Sequence, residues 1–548
     1  IERFINRLSD EKKEEIIHTA DNAIEGKIKG FSSIELDYGM PIDWHCSPLT
    51  KKKVNSSLKW FKIPDFDPER GDIKVIWEAS RFTHFFSFIR AYMITKNEKY
   101  YKAFSNQLDD WLRKNPYSYG PNYKCGQEAT LRMINTLFAY SAFNSYGLIT
   151  NADIENVKSV VEGSYKKVLS NFFYAHKCIK NNHTLSEITG LIIGAWTCRD
   201  EKRLENAYML LDEEIKKQFH SDGGYIQYSF NYQRFALQIM ELVSKISVIT
   251  GKNISKDSKN LIKKSAYLLY QMQDETGDVP NYGSNDGALI FPVTSCDYRD
   301  FRSTINTIFA LIDGCRIYEH GDYDEEILWF TDKKLEKFLK KTIKKKSSSF
   351  SESGFYSLRH DQGFLMTVLQ NFTSRPAQMD QNHIDIWHRG VNVFCDSGTY
   401  SYATEIGMKM SLTSAHNTVA VENKEQMNKR GPFFIYDWTK RKDVKHTENY
   451  FSGTMISKNG YIHQREIYKH SHGYTIEDEV TGDGMYCYFY LHTPCEVKKV
   501  PNGFELYFNS DLICTVIVDG SVQIEKSYRS LYYFRKEEIS RIIVKRNL

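Results

Sequence analysis

The feature that most constrains this chain is a change of hydrophobic period near Lys340. Before it, apolar residues recur every three or four positions, as in Phe235, Ile239, Leu242, Ile246 and Ile249, and again in Leu185, Ile188, Leu191, Ile192 and Ala195. That spacing lays one apolar stripe along a helix. The stretches Trp77 to Tyr92, Gln127 to Tyr140 and Leu261 to Met272 follow the same rule, and Asn115-Pro116, Gly120-Pro121-Asn122 and Asp222-Gly223-Gly224 punctuate them. Helix after helix with no strand between predicts a helical toroid or solenoid, without a repeat of fixed period. Beyond Lys340 the segments Gly363 to Gln370, Val391 to Cys395, Thr418 to Val421, Tyr486 to Leu491 and Leu512 to Val518 have strand composition, with turn signals at Asp483-Gly484 and Asn502-Gly503. They predict stacked antiparallel sheets. The expected organisation is a helical domain over 1–340, a linker over 341–352 and an antiparallel β-sandwich domain over 353–548. The run from Lys340 to Ser349, basic and then small and polar, reads as the solvated linker.

Composition narrows the function classes. Lys+Arg 73 against Asp+Glu 69 gives a net charge of +4 over 548 residues, too even for a dedicated nucleic-acid binder. The ten cysteines include no C-x-x-C pair, which argues against a zinc finger or a thioredoxin-type motif. No apolar run reaches the roughly 18 residues of a transmembrane helix. The opening Ile1-Glu2-Arg3-Phe4 carries neither a Met nor the apolar core of a signal peptide, so secretion is not legible from this end. Aromatic residues make up 14%, a surplus that suits packed layers and also a cleft for sugar rings.

Four constellations carry chemistry. In Asn181-Asn182-His183-Thr184-Leu185-Ser186-Glu187, Thr184 and Glu187 have capping-box spacing, which by itself means only a helix start. The same position suits an anion, with Asn182 donating to a carboxylate and His183 donating or taking a proton. In Asp222-Gly223-Gly224 through Arg234, Tyr232 falls in the first turn of a helix. It reads as packing with a wetted hydroxyl, or as a phenol whose phenolate Arg234 stabilises. Strand alternation in Gln381 to Trp387 sends Gln381, His383, Asp385 and Trp387 to one face. His383, Asp396 and His416 then form either a hydrogen-bonded network or a zinc set of two imidazoles and one carboxylate. The fourth set is softer: Trp77, Glu78, Arg81, Asn122, Gln127, Glu128, Arg132 and the loop Pro280 to Gly287 with Asn285 line a sugar cleft, or cap helices and pair internally.

Taken in order, Trp77-Glu78-Ala79-Ser80-Arg81, Asn115-Pro116, Asn181-Asn182-His183, Asp222-Gly223-Gly224 with Tyr232, Asn281 to Asp286, His383-Ile384-Asp385, Asp396 to Tyr400 and His416-Asn417-Thr418 resemble the heparinase II/III-like polysaccharide lyases, a superfamily that also holds related alginate lyases. The resemblance implies an incomplete α/α toroid followed by an antiparallel β-sandwich, a cleft between them, and β-elimination at a uronic acid that leaves an unsaturated uronate end. It puts the carboxylate-binding amide on Asn182 with His183 beside it. The catalytic tyrosine falls on Tyr232, general acid to the leaving oxygen and on some substrates also base. A divalent metal, typically zinc in a structural role, falls on His383, Asp396 and His416. Substrate-binding positions are Trp77, Glu78, Arg81, Asn122, Gln127, Glu128, Arg234 and Asn285. Gln381 stands where several members carry a catalytic histidine. A glutamine hydrogen-bonds a carboxylate but takes no C5 proton, which moves the base role to Tyr232 or His183 and favours syn chemistry through Tyr232. The partner implied is an acidic polysaccharide, a glycosaminoglycan such as heparin or heparan sulfate ahead of alginate or a bacterial capsule, met in the periplasm or outside the cell.

Two rivals stay open on sequence. A glycoside hydrolase needs two carboxylates about 5–5.5 Å or 6.5–9.5 Å apart, with Glu78, Glu128, Asp222 and Asp286 as the candidates. A non-catalytic protein that binds acidic glycans would keep the fold, and Gln381 lends that reading weight.

Overall fold

A computed structural model describes residues 1–548. The helical half carries long helices at Asp10–Ile24, Lys99–Lys114, Gly126–Ser145, Asn151–Tyr174, Asn182–Thr197, Glu201–Gln218, Phe230–Thr250 and Lys256–Gln271, and its last helix is Glu325–Phe330. The stripes at 185–195 and 235–249 lie on two of them. The stretch Trp77 to Tyr92, expected as one helix, is two, Lys74–Ser80 and Phe85–Thr95. Between them Phe82 takes φ +62°, which the right-handed helix cannot accommodate. The helical half also contains short ladders, Lys27–Gly30 with Ile34–Asp37 and Phe66–Asp67 with Gly71–Asp72, correcting the expectation of helices alone.

The second half is built from antiparallel sheets. Five strands run in the spatial order Val391–Phe394, Ile384–His388, Gly363–Val368, Phe355–His360, Ser348–Phe350. Four follow the order Val419–Val421, Tyr486–Thr493, Arg535–Asn547, Ser521–Tyr532. A four-stranded meander over Lys440–Gly482 and a three-stranded one over Glu496–Ile517 complete the half. The turn at Asn502 joins two of these strands with φ +63°, as the Asn-Gly signal predicts.

The segment 341–352 is not a solvated linker. Its strand Ser348–Phe350 is the edge of the five-stranded sheet, and the basic run before it is strapped to the helices. Tyr270 Oη donates to the Ile343 carbonyl at 2.7 Å, Gln271 Nε2 to that of Lys344 at 3.0 Å, and Lys345 Nζ to those of Gln273 and Asp274 at 3.0 and 2.9 Å. Lys345 reaches carbonyls of the turn that follows the helix Lys256–Gln271, which the composition of the run does not reveal.

The larger hydrophobic core crosses the junction. It takes Phe230, Tyr282 and Phe31 from the helical half and Phe355, Tyr402 and Tyr533 from the sheet half. Phe230 and Phe355 lie 5.1 Å apart between ring centroids, and Phe31 and Tyr533 5.0 Å. Aromatic burial of this kind fixes the two halves against each other and therefore the walls of whatever lies between them. A smaller core, with Leu358, Ile384, Val421, Phe451 and Leu491, lies inside the sheets.

Candidate functional site

Tyr232 sits in the first turn of Phe230–Thr250, as the glycine turn ahead of it suggests. Ser229 caps that helix, accepting from Tyr232 N at 3.2 Å and donating its hydroxyl to the Ser284 carbonyl at 2.5 Å. Gly283 packs on the cap with φ +80°, and a Cβ there would fall 2.2 Å from the Tyr228 oxygen. The loop 280–287 is thus pinned to the helix start, which puts Asp286 under the phenol. Tyr232 Oη donates to Asp286 Oδ2 at 3.0 Å, Lys74 Nζ donates to the same oxygen at 2.7 Å, and Asn231 Nδ2 approaches Oδ1 at 3.5 Å. From the sheet half, Tyr402 brings its hydroxyl to 3.2 Å from that of Tyr232, with Lys74 Nζ 4.7 Å from the Tyr402 ring centre. Groups of both halves therefore meet at one phenol.

The ionisation states follow from this packing. Burial, then the Asp286 carboxylate and the Tyr402 hydroxyl, push the Tyr232 phenol well above its ordinary value. It is a neutral proton donor. Burial would raise Asp286, but the Lys74 ammonium outweighs it and holds the carboxylate below the usual range. Arg234 takes no part in this, which corrects the expectation that it stabilises a phenolate. It is 2% exposed, and its guanidinium stacks 4.3 Å from the Tyr298 ring centre and 4.0 Å from that of Phe301. Positions i and i+2 lie on different sides of a helix.

The helix Asn182–Thr197 is capped by Asn181, whose side chain accepts from His183 N at 2.9 Å. The expected Thr184–Glu187 box does not form: Thr184 donates to the Ala175 carbonyl at 2.8 Å, and Glu187 accepts from Asn171 at 2.8 Å. The polypeptide enters through a π-turn at Ala175–Ile179, which shifts the start of the helix. Asn182 receives Gln227 Oε1 on its backbone N–H at 3.0 Å and donates one amide N–H to Gln127 Oε1 at 2.9 Å, leaving the other. His183 Nδ1 faces Cys125 Sγ at 3.7 Å. Burial and then the Lys74 charge depress the imidazole to about 4, opposed by Glu128 and Asp286. It is neutral near pH 7, not the imidazolium an anion site would use. Asp286 acts on both His183 and Tyr232, and Lys74 acts on His183 and on Asp286, so the imidazole and the phenol are linked through one ion pair.

Most of the softer set is consumed by structure. Trp77 donates to the Pro121 carbonyl at 2.9 Å and packs on Ile63 and Ile73. Asn122 is fully buried, donating to the Trp44 carbonyl and to Asn115 at 2.9 Å each. Arg132 donates to the Ser80 carbonyl at 2.9 Å. Asn285 ties the Thr399 hydroxyl, Asn281 and Tyr298 together at 2.9, 3.0 and 2.7 Å. Each of these four is engaged in hydrogen bonds within the protein. Arg81 lies between Glu78 and Glu128, at 2.6 and 2.8 Å from the Glu128 oxygens, in a buried ion set behind His183. Gln127 is the partner of Asn182.

Gln381 does not lie on a strand face with His383, because the strand begins at Ile384 and Asn382 takes φ +59°. Its amide accepts from Gln370 N at 2.6 Å and donates to Gln370 Oε1 at 3.0 Å, fully buried in the sheet half and bonded to none of Tyr232, Asn182 or His183. His383, Asp396 and His416 do converge: one donor atom from each lies within 4.8 Å of the others, and all three residues are fully buried. His416 Nδ1 meets Asp396 Oδ2 at 2.8 Å. Burial would lower this imidazole, but the carboxylate outweighs it and raises it, while Asp396 is held down in turn. His383 Nε2 lies 3.9 Å from both Asp385 and Asp396 and has no hydrogen-bond partner, nor has His416 Nε2. Asn417 stitches the site together, donating to the Ile384 and Cys395 carbonyls at 2.8 and 3.1 Å and accepting from His492 N at 2.7 Å. The donor types, spacing and orphaned nitrogens suit a divalent cation. His383 Nδ1 accepts from Asn417 N at 2.9 Å, which leaves Nε2 as the ring nitrogen turned toward the two carboxylates.

Sequence reasoning missed Lys74 and Tyr402, and gave Asp286 no role beside Tyr232. Lys74 stands 212 positions from Asp286, and Tyr402 170 from Tyr232, so no local pattern carries the contact. Tyr402 lies two residues past the segment Asp396 to Tyr400 already singled out, the one signal available.

Comparisons with known proteins bear on the family and the fold. Residues 6–288 match the family model described as heparinase II/III N-terminus, and residues 342–548 the one described as heparinase II/III-like, C-terminal. A heparin-sulfate lyase of Bacteroides stercoris is 21% identical over 441 residues, 74% of this chain and 60% of that protein. One from Pedobacter heparinus is 22% identical over 415 residues, 71% and 55% of the two chains. The chain thus spans under two thirds of these curated relatives. Among solved structures, heparinase III superposes with a TM-score of 0.69 at 14% identity over 99% of this chain and 83% of that one, and a chondroitinase AC lyase with 0.54 at 9% over 100% and 79%. These show a shared fold, a helical N-terminal region followed by an antiparallel strand-rich one. With its two family models covering most of its length, the chain belongs to the heparinase II/III-like family.

Proposed function

We propose that this protein is a polysaccharide lyase, a carbon-oxygen lyase that breaks a uronate-containing polymer by β-elimination, acting on a glycosaminoglycan such as heparan sulfate or heparin ahead of alginate or a capsule. In this reading the helices form an incomplete α/α toroid, the sheets a sandwich, and the polymer lies between them. The observation that carries it is the phenol of Tyr232, held protonated between Asp286 and Tyr402 where the two halves meet.

The chemistry follows from the charge states. The C5 proton beside an ionised carboxylate is very weakly acidic, and negative charge developing on that carboxylate needs donors already in place. The free N–H of Asn182 supplies one. The unprotonated His183 ring accepts the C5 proton, the C5–H electron pair forms the C4=C5 double bond, the C4–O bond breaks, and the leaving oxygen takes the proton of Tyr232 Oη. Asp286 and Lys74 orient the phenol, and the ring proton of His183 or solvent restores it. A neutral phenol favours Tyr232 as acid over Tyr232 as base, so this reading replaces syn chemistry through the tyrosine alone.

We further propose that His383, Asp396 and His416 seat a divalent metal, zinc by donor type, that ties three segments of the sheet half together. A bound ion would supply cross-linking there, and the elimination does not pass through it.

The rivals have less support. Of the hydrolase candidates, Glu78 and Glu128 are spent on Arg81, Asp286 on Lys74, and Asp222 accepts from Ser353 N at 2.9 Å. Gln381 is locked inside the sheet half, so its presence takes nothing from the cleft. The test is incubation with heparan sulfate, heparin, hyaluronan, chondroitin and alginate. The expected result is a rise in ultraviolet absorbance from an unsaturated uronate on a glycosaminoglycan. Reducing ends without that absorbance would replace elimination by hydrolysis.

A further inference from the structure

The loop 371–379 leaves the strand Gly363–Val368 and crosses to the helical half. Thr373 N donates to Tyr228 Oη at 3.1 Å, Ser374 donates its hydroxyl to the Ile226 carbonyl, and Gly283 N donates to Gln378 Oε1 at 3.1 Å. The backbone on both sides of Arg375 is therefore held to the elements that position Tyr232 and Asp286. The side chain is not held. Arg375 is exposed and makes no hydrogen bond or ion pair, whereas Arg81, Arg299 and Arg465 are all paired with carboxylates. Its guanidinium carbon lies 5.7 Å from the Phe433 ring centre. The Phe433 ring packs 4.9 Å from that of Tyr402, whose hydroxyl touches Tyr232, and 6.1 Å from that of Phe66 in the helical half. Arg375 thus stands where the two halves meet, separated from the reacting phenol by two rings, Phe433 and then Tyr402.

A pinned backbone with an uncompensated guanidinium is a preorganised receptor for an oxyanion, since the planar fork binds sulfate or carboxylate through two parallel N–H bonds. No acid in the cleft competes for it, because Asp286 is neutralised by Lys74. The exposed Phe433 ring beside it offers an apolar face to a sugar. Resting on the lyase reading above, we propose that Arg375 is a specificity-determining residue that takes an anionic group of the sugar next to the scissile bond, distinct from the uronate carboxylate held at Asn182. The anion is a sulfate ester or the carboxylate of the neighbouring uronate.

The test compares wild type with Arg375→Ala and Arg375→Lys on heparan sulfate and on its unsulfated backbone polymer, which retains the carboxylates. For Arg375→Ala on heparan sulfate, KM is expected to rise about tenfold or more with kcat within about twofold, the signature of lost binding shared by ground and transition states. Arg375→Lys is expected to recover part of the loss, and the salt dependence of KM to weaken in the alanine variant. A rise confined to the sulfated polymer assigns the sulfate, and a rise on both assigns the carboxylate. An unchanged KM on both polymers, or a fall in kcat alone, overturns the proposal. Should wild type release no unsaturated product, the lyase reading fails separately, and titration calorimetry with heparan sulfate decides this one: weaker binding by Arg375→Ala upholds the anion site, and equal binding overturns it.

Discussion

The Tyr232 cluster in the cleft and the His383 cluster in the sheets are both buried and polar, and they differ in what remains unsatisfied. In the first, Asp286 is paired with Lys74, and the Tyr232 and Tyr402 hydroxyls have partners. In the second, His383 Nε2, His416 Nε2, Asp385 Oδ2 and His492 Nε2 have none. Leaving a buried polar atom without a partner costs about 1–3 kcal/mol. A site with every charge paired is organised to hold a proton at one atom. A site with several orphaned nitrogens around a carboxylate is organised around something that supplies positive charge.

The sharpest way to break this contrast is to delete one atom from the first cluster. Tyr232→Phe removes the hydroxyl and leaves the ring packing, Lys74 and Asp286 in place. Turnover is expected to fall by about 10²–10⁴, the range for a lost general acid. Asn182→Ala should cost about 10²–10³, as for one lost donor to developing charge. Both proteins should keep the wild-type circular dichroism. Near-native turnover by Tyr232→Phe would remove the phenol from the mechanism and with it the functional meaning of the first cluster.

The second cluster is tested by stability. His416→Ala leaves Asp396 buried without its imidazole, and breaking such a pair costs about 3–5 kcal/mol. Turnover per folded molecule should change less than in Tyr232→Phe. Elemental analysis of the purified wild type is expected to find about one equivalent of zinc, by the chemistry of the donor set, and a chelator should lower its melting temperature. Metal-free protein whose melting is indifferent to chelator would make the trio a hydrogen-bonded network complete in itself, with Asn417 N on His383 Nδ1 fixing the tautomer.

The same contrast explains what the sequence disclosed. Gly363–Val368 and Tyr486–Thr493 were legible because strand composition, rich in aromatic and apolar residues, belongs to each strand by itself. So was the helix carrying Tyr232, announced by its glycine turn and apolar stripe. Phe82 was not, because a left-handed residue that is neither Gly nor Asn leaves no compositional mark. The metal-type trio could be proposed from residue types alone, since imidazole and carboxylate are scarce in a buried sheet. Lys74, Tyr402 and Arg375 are ordinary residues until the halves close. The role of Arg234 was misread for the converse reason: adjacency along the chain suggested contact, and the helix turned it into the core beside Tyr298 and Phe301.

The smallest expected effect concerns Glu187, one turn below His183 on the helix Asn182–Thr197. Gly126 makes room for this carboxyl: a Cβ there would lie 2.4 Å from Glu187 Cδ. Oε1 accepts from Asn171, and Oε2 has no partner. Burial pushes the acid from 4.5 up to about 7, opposed by Asn171 and Lys167. Below about pH 4.5 the group is protonated whether the protein is folded or not. Between that point and about 7 the unfolded chain releases the proton and the folded one keeps it, so the folded state binds more protons and stability falls as pH rises through this window. The full loss is roughly 3–4 kcal/mol above the folded value, at about 1.4 kcal/mol per unit over the rise from 4.5 to about 7. Glu187→Gln keeps an acceptor for Asn171 and removes the titration. In denaturant melts the variant should exceed wild type at pH 8, with the gap closing as the pH is lowered toward 4.5. A gap independent of pH would mean that Glu187 is ionised in the fold throughout, stabilised by Lys167 and the amino end of the helix Gly126–Ser145, and the ground beneath His183 would then be anionic at every working pH.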